Sequence, residues 1–541
     1  MSRITGVLGR AWPYFVFGAL VLLYNYRYLG MGYCPSMDEG YLQSLGARVL
    51  SGELPYRDFY FFRTPLSVYI QAGLIALLGD SYTIMAGRIY CVVQTTLTAV
   101  LASFVYRKLV SGLELLLLLV ASYVVTTLML DFPWYSYDAL FFAVLALLFF
   151  HRRLFVLSGA MVAFAALCKQ SYVMLLPLGI VIGLLGPVVS SRLRLGRLSD
   201  LARVTAGFGV CTSVFGVYLI LTSGIGSFIA NIFTLPAECA HVSLEFAIFQ
   251  NAGKALIVAL PAIAAILTAF YANRVHWILY VGTVIAVPLM LTRLASDVFG
   301  FSFSLVFINY AVALPVLIAE TGAGLFESFR SRLKGIGGAY AIALIIQYLS
   351  GVNYSGLAFA HMGAGIALPF SYIALRRFAG SLPAKAFALL LITAILGIGL
   401  YQKTTHVYFE AKLPALTEEF SHPKLAGVSS TPTNVEIFQS ILETVEQNSD
   451  STDFIFVFPK HPSIYFLSER RNPTPVQWYY KLEYNDDIFE ETMLVLREVR
   501  PKLVLIDQGS APPALGSFID TNYVLLAQHW RLQIYGVTGQ Q

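Results

Sequence analysis

The sequence predicts a polytopic, all-α membrane protein with a small α/β domain at its C-terminal end. Three observations carry that prediction. Of 541 residues, 57 % are hydrophobic and only 12 % charged, against about 45–50 % and about 25 % in soluble domains, and the mean hydropathy is +0.69. Apolar runs of about 20 residues, the length that crosses a bilayer, recur as far as residue 402. After about residue 403 charges and prolines return, and no run is long enough to span. This composition excludes a disordered, fibrous or disulfide-scaffold chain and argues against a water-soluble enzyme.

The net charge of +5 is spread in small clusters between apolar runs, as in cytoplasmic loops. A nucleic-acid binder would concentrate it on one face, so no nucleic acid is expected as a partner. The five cysteines, Cys34, Cys91, Cys168, Cys211 and Cys239, have no metal-binding spacing. Cys91, Cys168 and Cys211 sit in or beside apolar runs. Cys34 and Cys239 fall on the expected outer side, where a disulfide is one option.

Arg3 and Arg10 precede an apolar run from Ala11 to about Leu29. It lacks a signal-peptidase site and reads as an uncleaved first helix with the N-terminus inside. A polar, aromatic and charged stretch follows and opens a first outer loop over about residues 31–80. Within it, Pro65–Gly79 is too short to span and suits a surface helix. That choice leaves Arg107 and Lys108, after a helix at about 82–105, on the inside. Spans then alternate at about 113–130, 139–150, 154–168, 171–189, 204–222, 254–272, 277–293, 301–319, 336–350, 357–375 and 384–402. Asp131–Asp138 forms an outer loop. The basic groups at residues 151–153, 192–203, 274, 330–334 and 376–377 fall inside. The total is roughly 13 spans with the C-terminus outside. In the tail, residues 434–447 read as a helix capped by Asn434, 453–459 as a buried strand, 488–500 as an amphipathic helix and 503–506 as a second strand. The domains expected are thus 1–402 and 403–541.

Ionisable residues near membrane depth are functional candidates, and here they gather on the outer side. Asp38 and Glu39 follow the first helix, where a carboxylate can serve as general base or Asp38 can cap a short helix. Tyr56, Arg57 and Asp58 contain a candidate internal ion pair. Arg63 and Arg88 either grip a phosphate by a planar fork or snorkel to the interface. Asp131 and Asp138 flank Pro133, Trp134, Tyr135 and Tyr137, an aromatic set suited to the interface, a sugar or a prenyl chain. Lys169 sits at the outer end of a span and His361 starts a late one. There is no P-loop, GxGxxG or HExxH, and the inner loops are too short for a nucleotide domain. An outward-facing enzyme lacks nucleotide sugars, so its activated donor would arrive on a lipid.

These residues resemble the GT-C glycosyltransferases that use polyprenyl-phosphate sugars, nearest to protein O-mannosyltransferase-like and lipid A aminoarabinose transferase-like enzymes. The similarity lies in Asp38-Glu39-Gly40, Ala47 and Gly52-Glu53-Leu54-Pro55-Tyr56-Arg57-Asp58-Phe59. It continues through Arg63-Thr64-Pro65-Leu66 where relatives have a Lys-Pro-Pro-Leu-type stretch, Leu78-Gly79-Asp80-Ser81, Arg88, Asp138 and Leu167-Cys168-Lys169-Gln170. In the tail it includes Ile464–Ser468 and Arg470–Pro473. It is strong over residues 30–180 and topological elsewhere.

The resemblance implies a GT-C fold and an inverting transferase in the inner membrane. Sugar would pass from a polyprenyl-phosphate carrier to a lipid, glycan or protein acceptor on the extracytoplasmic face. It implies Asp38 as catalytic base with Glu39 beside it, and Asp138 in the same cavity. The donor phosphate would meet Arg63, helped by Arg57 or Lys169; Arg for Lys and Thr for the first Pro depart from the family pattern. Tyr56, Arg88 and His361 complete the expected cavity. No cofactor is expected, although Asp38, Glu39 and Asp138 offer oxygen ligands for Mg²⁺. A lipid-linked-glycan flippase and a glycan polymerase or ligase are the alternatives. The tail would bind acceptor or a partner, or cap the cavity.

Overall fold

The computed structural model describes residues 2–33, 38–79, 81–129, 131–181, 198–239, 301–302, 305–306, 308–310, 312, 337–351, 359–378, 382–405, 407–408, 410–480 and 484–538. The expected spans at 254–272 and 277–293, most of 301–319, and Cys34 lie outside the described residues.

The first part is helical: α1 (Ser2–Tyr28), α2 (Tyr41–Leu50), α3 (Leu66–Leu78), α4 (Thr83–Tyr106), α5 (Gly112–Thr126), α6 (Tyr135–His151), α7 (Phe155–Cys168) and α8 (Leu198–Leu221). Later come α9 (Gly337–Gly351), α10 (His361–Phe378) and α11 (Leu382–Thr405). Among the described residues, three helical segments are long and apolar enough to cross a membrane: Thr83–Leu109, Leu198–Leu221 and Ala388–Thr405. Shorter apolar helices accompany them.

The short helix expected at Pro65–Gly79 is α3, which ends where Gly79 turns to φ 74°. Two expectations change. Helix α6 begins at Tyr135, so Asp138 lies in its first turn and not in a loop. The loop before α3 holds a further helix, α2, whose N-cap is Gly40 at φ 85°. Asp38 makes no side-chain cap there.

Packing follows from where side chains are small. A Cβ on Gly159 of α7 would strike the Val204 carbonyl, and one on Gly207 of α8 the Val156 carbonyl. The two backbones therefore run in direct contact, as small residues allow between helices in lipid. Gly46 does the same for α2 on α3, where a Cβ would sit 2.8 Å from the Ala72 amide nitrogen.

Several buried polar groups in the bundle bond to one another. The Asn309 amide donates to Gln347 Oε1 at 2.7 Å, and the Ser371 hydroxyl to Asn309 Oδ1 at 2.7 Å. At the start of α5, Ser111 and Glu114 form a capping box. Glu114 also accepts from Tyr372 and Arg376 of α10.

In the C-terminal region, the short strands β1 (Glu418–Glu419) and β2 (Ser429–Ser430) pair antiparallel. A mixed four-stranded sheet follows, of β3 (Ile455–Phe458), β4 (Leu503–Asp507), β6 (Leu532–Val537) and β5 (Tyr523–His529), in that spatial order. Strands β3 and β4, the two read from sequence, are parallel. The antiparallel β5–β6 hairpin was not expected. Helices α12 (Pro432–Asn448), α13 (Ser463–Ser468), α14 (Asp486–Val499) and α15 (Pro513–Asn522) complete it. Helix α12 is capped by the Thr431 hydroxyl, not by Asn434, because Pro432 takes the first helical position. The tail also knits into the first loop: Ser429 of β2 exchanges backbone hydrogen bonds with Gly30 and Gly32, both 2.7 Å.

Candidate active site

Asp38 stands two residues before Gly40, the N-cap of α2, and its carbonyl accepts from the Tyr41 amide at 3.2 Å. Its carboxylate accepts a hydrogen bond from the hydroxyl of Tyr408. Tyr408 lies just past α11, 370 positions further along the chain.

Glu39 turns inward. The Arg88 guanidinium donates Nε to Glu39 Oε1 at 2.7 Å and Nη2 to Oε2 at 2.8 Å, and both side chains are 5 % exposed. Arg88 also donates to the carbonyls of Leu29 and Gly32. The planar fork thus fixes both the exit of α1 and the residue beside Asp38. Glu39, Arg88 and Tyr408 face a small polar cavity together with Tyr24, Asp131 and Lys403. The Lys403 ammonium reaches Asp131 Oδ1 at 2.7 Å and the Thr127 carbonyl at 2.5 Å.

A second, larger cavity of about 720 Å³ lies between α7, α8 and the π-helical turn Ala230–Thr234. Its wall is apolar, with Leu167, Val173, Phe208, Phe215, Phe228 and Ile232. Two cations, Arg63 and Lys169, both buried, also line it. They share one ring: the Arg63 guanidinium lies 4.7 Å from the Tyr135 centroid and Lys169 Nζ 5.9 Å from it. Local bonds hold both cations in place. The Tyr56 hydroxyl donates to the Arg63 carbonyl at 2.6 Å, and Thr64 to the Ala166 carbonyl at 2.7 Å. Lys169 follows the last residue of α7, where the helix dipole favours a cation, and donates to the Ser350 carbonyl at 2.6 Å.

A continuous line of rings joins the two regions. Tyr408, which holds Asp38, lies 5.7 Å from Phe132; Phe132 lies 6.4 Å from Trp134, and Trp134 4.6 Å from Tyr135. The carboxylate and the cation pair therefore stand at opposite ends of the segment Phe132–Tyr135 that leads into α6.

The other residues singled out in the sequence sit elsewhere. Arg57 is bound to Asp58 at 2.7 Å, half exposed, and lines neither cavity. That hydrogen bond, with one from the Leu54 amide, holds the Asp58 carboxyl below the usual carboxylate range. Tyr56 is buried behind the wall, edge-on to Phe228 at 5.3 Å. Asp138, in the first turn of α6 with Tyr135, is in neither cavity lining. One of its oxygens accepts from Tyr90 and Gln94, both at 2.6 Å. His361 is fully buried at the start of α10, 3.1 Å from the Ser302 hydroxyl. Among the described residues no three His, Cys, Asp or Glu side chains group as metal ligands. Asp38, Glu39 and Asp138 do not fit a shared Mg²⁺, since Arg88 occupies both Glu39 oxygens and Asp138 bonds to α4.

Three residues, Tyr408, Lys403 and Arg48, were not singled out in the sequence. Tyr408 and the Asp131–Lys403 pair meet the first loop only through folding. Arg48 of α2 is buried and binds Glu53, the Asp58 carbonyl and the Thr474 carbonyl. Its position four residues after Ser44 on one helical face was the one available hint.

No protein-family model matches the chain, and no curated protein matches it. Solved structures do. An oligosaccharyltransferase of Archaeoglobus fulgidus, solved as a complex with Zn and sulfate, superposes with a TM-score of 0.52 at 11 % identity, over 92 % of this chain and 68 % of its own. ArnT from Cupriavidus metallidurans, bound to undecaprenyl phosphate, matches with a TM-score of 0.48 at 14 % identity, over 97 % of this chain and 98 % of its own. The likeness to the archaeal oligosaccharyltransferase is one of fold: a mostly helical body with many apolar helices and a small C-terminal sheet region.

Proposed function

We propose that this chain is an integral-membrane, inverting glycosyltransferase that takes its sugar from a polyprenyl-phosphate carrier. The observation that carries the reading is the apolar cavity with two buried cations on one tyrosine ring. Its wall suits a prenyl chain, and its fixed positive charge suits the phosphate.

In this reading Asp38 takes the proton from the acceptor hydroxyl or amine. The freed lone pair forms a bond to the anomeric carbon while the carbon–oxygen bond to the phosphate breaks. The leaving pair settles on the phosphate oxygen, where Arg63 and Lys169 stabilise it. Attack opposite to departure inverts the anomeric centre. Tyr408 aims the carboxylate, and Glu39 with Arg88 fixes the turn that presents it. Residues 1–402 form the membrane body, with the N-terminus cytoplasmic. Residues 403–541 form an extracytoplasmic domain. The acceptor is a lipid, glycan or protein of the cell envelope.

The test is release of free polyprenyl phosphate from a panel of polyprenyl-phosphate sugars by protein reconstituted in lipid. Wild type should release it, and Asp38→Asn, which keeps an acceptor for Tyr408, should be slower by about 10²–10⁴-fold, the range of general-base catalysis. Equal release by the two proteins refutes the role of Asp38. No release from any donor, with movement of labelled lipid across the bilayer, replaces the transferase by a flippase.

A further inference from the structure

The C-terminal sheet reaches the turn that carries Asp38. Beyond β3 the chain turns at His461, whose φ is 67° and whose Nε2 lies 3.3 Å from Asp507 Oδ1 at the end of β4. The next two residues press on α2. The Pro462 carbonyl accepts from the Ser44 hydroxyl at 2.9 Å and from Gln477 Nε2 at 3.3 Å. Gln477 Nε2 also donates to the Ser44 hydroxyl. Its Oε1 accepts from Arg48 at 3.2 Å and from Asn472 at 3.1 Å. A Cβ on Gly40 would stand 2.7 Å from the Ser463 Cβ. Tyr41 packs on Trp478 with centroids 5.4 Å apart.

Ser44, Gln477 and Ser463 are all buried. Ser44 lies one turn above Gly40, to whose carbonyl its amide bonds at 2.8 Å. The face of α2 next to Asp38 is thus held by the C-terminal region through a buried, mutually bonded set. Such sets favour a single arrangement. Asp38 has two tethers from distant chain: Tyr408 on the carboxylate, and this clamp on the helix it precedes.

We propose that Ser44 and Gln477 are positioning residues for Asp38, so that the C-terminal region sets the direction of the base. The inference rests on the transferase reading. It also gives the C-terminal region a role in chemistry without a reacting group of its own.

Two measurements test it on the full chain in lipid. The first is amide exchange, which needs no activity: Ser44→Ala should speed exchange over residues 40–44 and leave α7 and α8 unchanged. The second is release of polyprenyl phosphate. Ser44→Ala and Gln477→Ala should each lower kcat about tenfold, since displacement of a reacting group by about 1 Å loses up to about 10²-fold. The donor KM should not move, because the lipid cavity is built from α7 and α8. Introduced into Asp38→Asn, Ser44→Ala should cause no further loss, as expected of residues acting as one unit. Equal losses in both backgrounds, or an unchanged kcat, overturn the inference. No release by wild type refutes the transferase reading and the catalytic inference with it. Release by wild type with Ser44→Ala unaltered refutes the inference alone.

Discussion

Replacing Glu39 by Gln removes one charge from the Arg88–Glu39 pair and changes little in shape. In the native protein three Arg88 hydrogen bonds lie at 2.7–2.8 Å, two to Glu39 and one to the Leu29 carbonyl. A glutamine keeps one acceptor and turns its amide N–H₂ towards the guanidinium, so a donor meets a donor. The arginine remains 4 % exposed without its counter-charge. Breaking a buried pair on one side costs about 3–5 kcal/mol. At about 1.4 kcal/mol per factor of ten, the unfolded fraction rises by about 10²–10³·⁵-fold. The cycle is completed by Arg88→Met and the double variant, with stability read from denaturant unfolding in detergent. Glu39→Gln should be strongly destabilised and the double variant less so than the sum of the singles. A Glu39→Gln protein within about 1 kcal/mol of wild type, the level of an exposed pair, refutes the claim that this pair holds the turn beside Asp38.

The cavity yields two further expectations. Arg63→Ala and Lys169→Ala should each weaken donor binding by about 10–100-fold, the equivalent of one charge-assisted hydrogen bond, measured by titration with a polyprenyl phosphate. Arg63→Lys should recover only part of this, because an ammonium does not stack on Tyr135 as a guanidinium does. Gly159→Ala should destabilise the protein by about 1–3 kcal/mol by overpacking α7 on α8; normal thermal unfolding of that variant argues against their direct backbone contact. In the first loop, Asp58 has a folded pKa depressed chiefly by its hydrogen bond from Arg57. Its stabilisation is therefore present above the unfolded pKa of about 3.9 and is lost as pH falls through the lower folded value. The Leu54 amide, which donates to Asp58 Oδ2 at 2.7 Å, should lose exchange protection as pH falls below the unfolded value and through the lower folded one. Constant protection across that window would contradict the assignment.

The apolar runs made the membrane body legible, because a helix in lipid needs length and hydrophobicity and little else. Helices α4, α7 and α11 lie close to their expected places for that reason. The surface helix α3 was visible through its shortness. What escaped was local. The start of α6 was hidden because Trp134-Tyr135-Ser136-Tyr137-Asp138 reads as loop chemistry, yet all five side chains are buried in the bundle. The hairpin β5–β6 was missed because Val524, Leu525 and Leu526 give no alternation of polar and apolar residues. In the site, Arg63 and Lys169 were suggested by residue type and context, and the structure brings them to one ring. Arg57 was selected on the same grounds, yet its own neighbour Asp58 occupies it. The Arg57–Asp58 pair was legible as a candidate ion pair of neighbours, whereas the Tyr135 ring that Arg63 meets is a fold contact. Tyr408 and Gln477 were out of reach, since their relation to Asp38 exists only across 370 and more positions.

That separation has a consequence for synthesis. The carboxylate leaves the ribosome early, whereas Tyr408 follows 370 residues later and Gln477 lies 433 residues beyond Ser44. At about 5–20 residues per second, a nascent chain holds Asp38 for roughly 20–75 s without either restraint. Each new molecule therefore passes through membrane insertion with Asp38 held by neither contact.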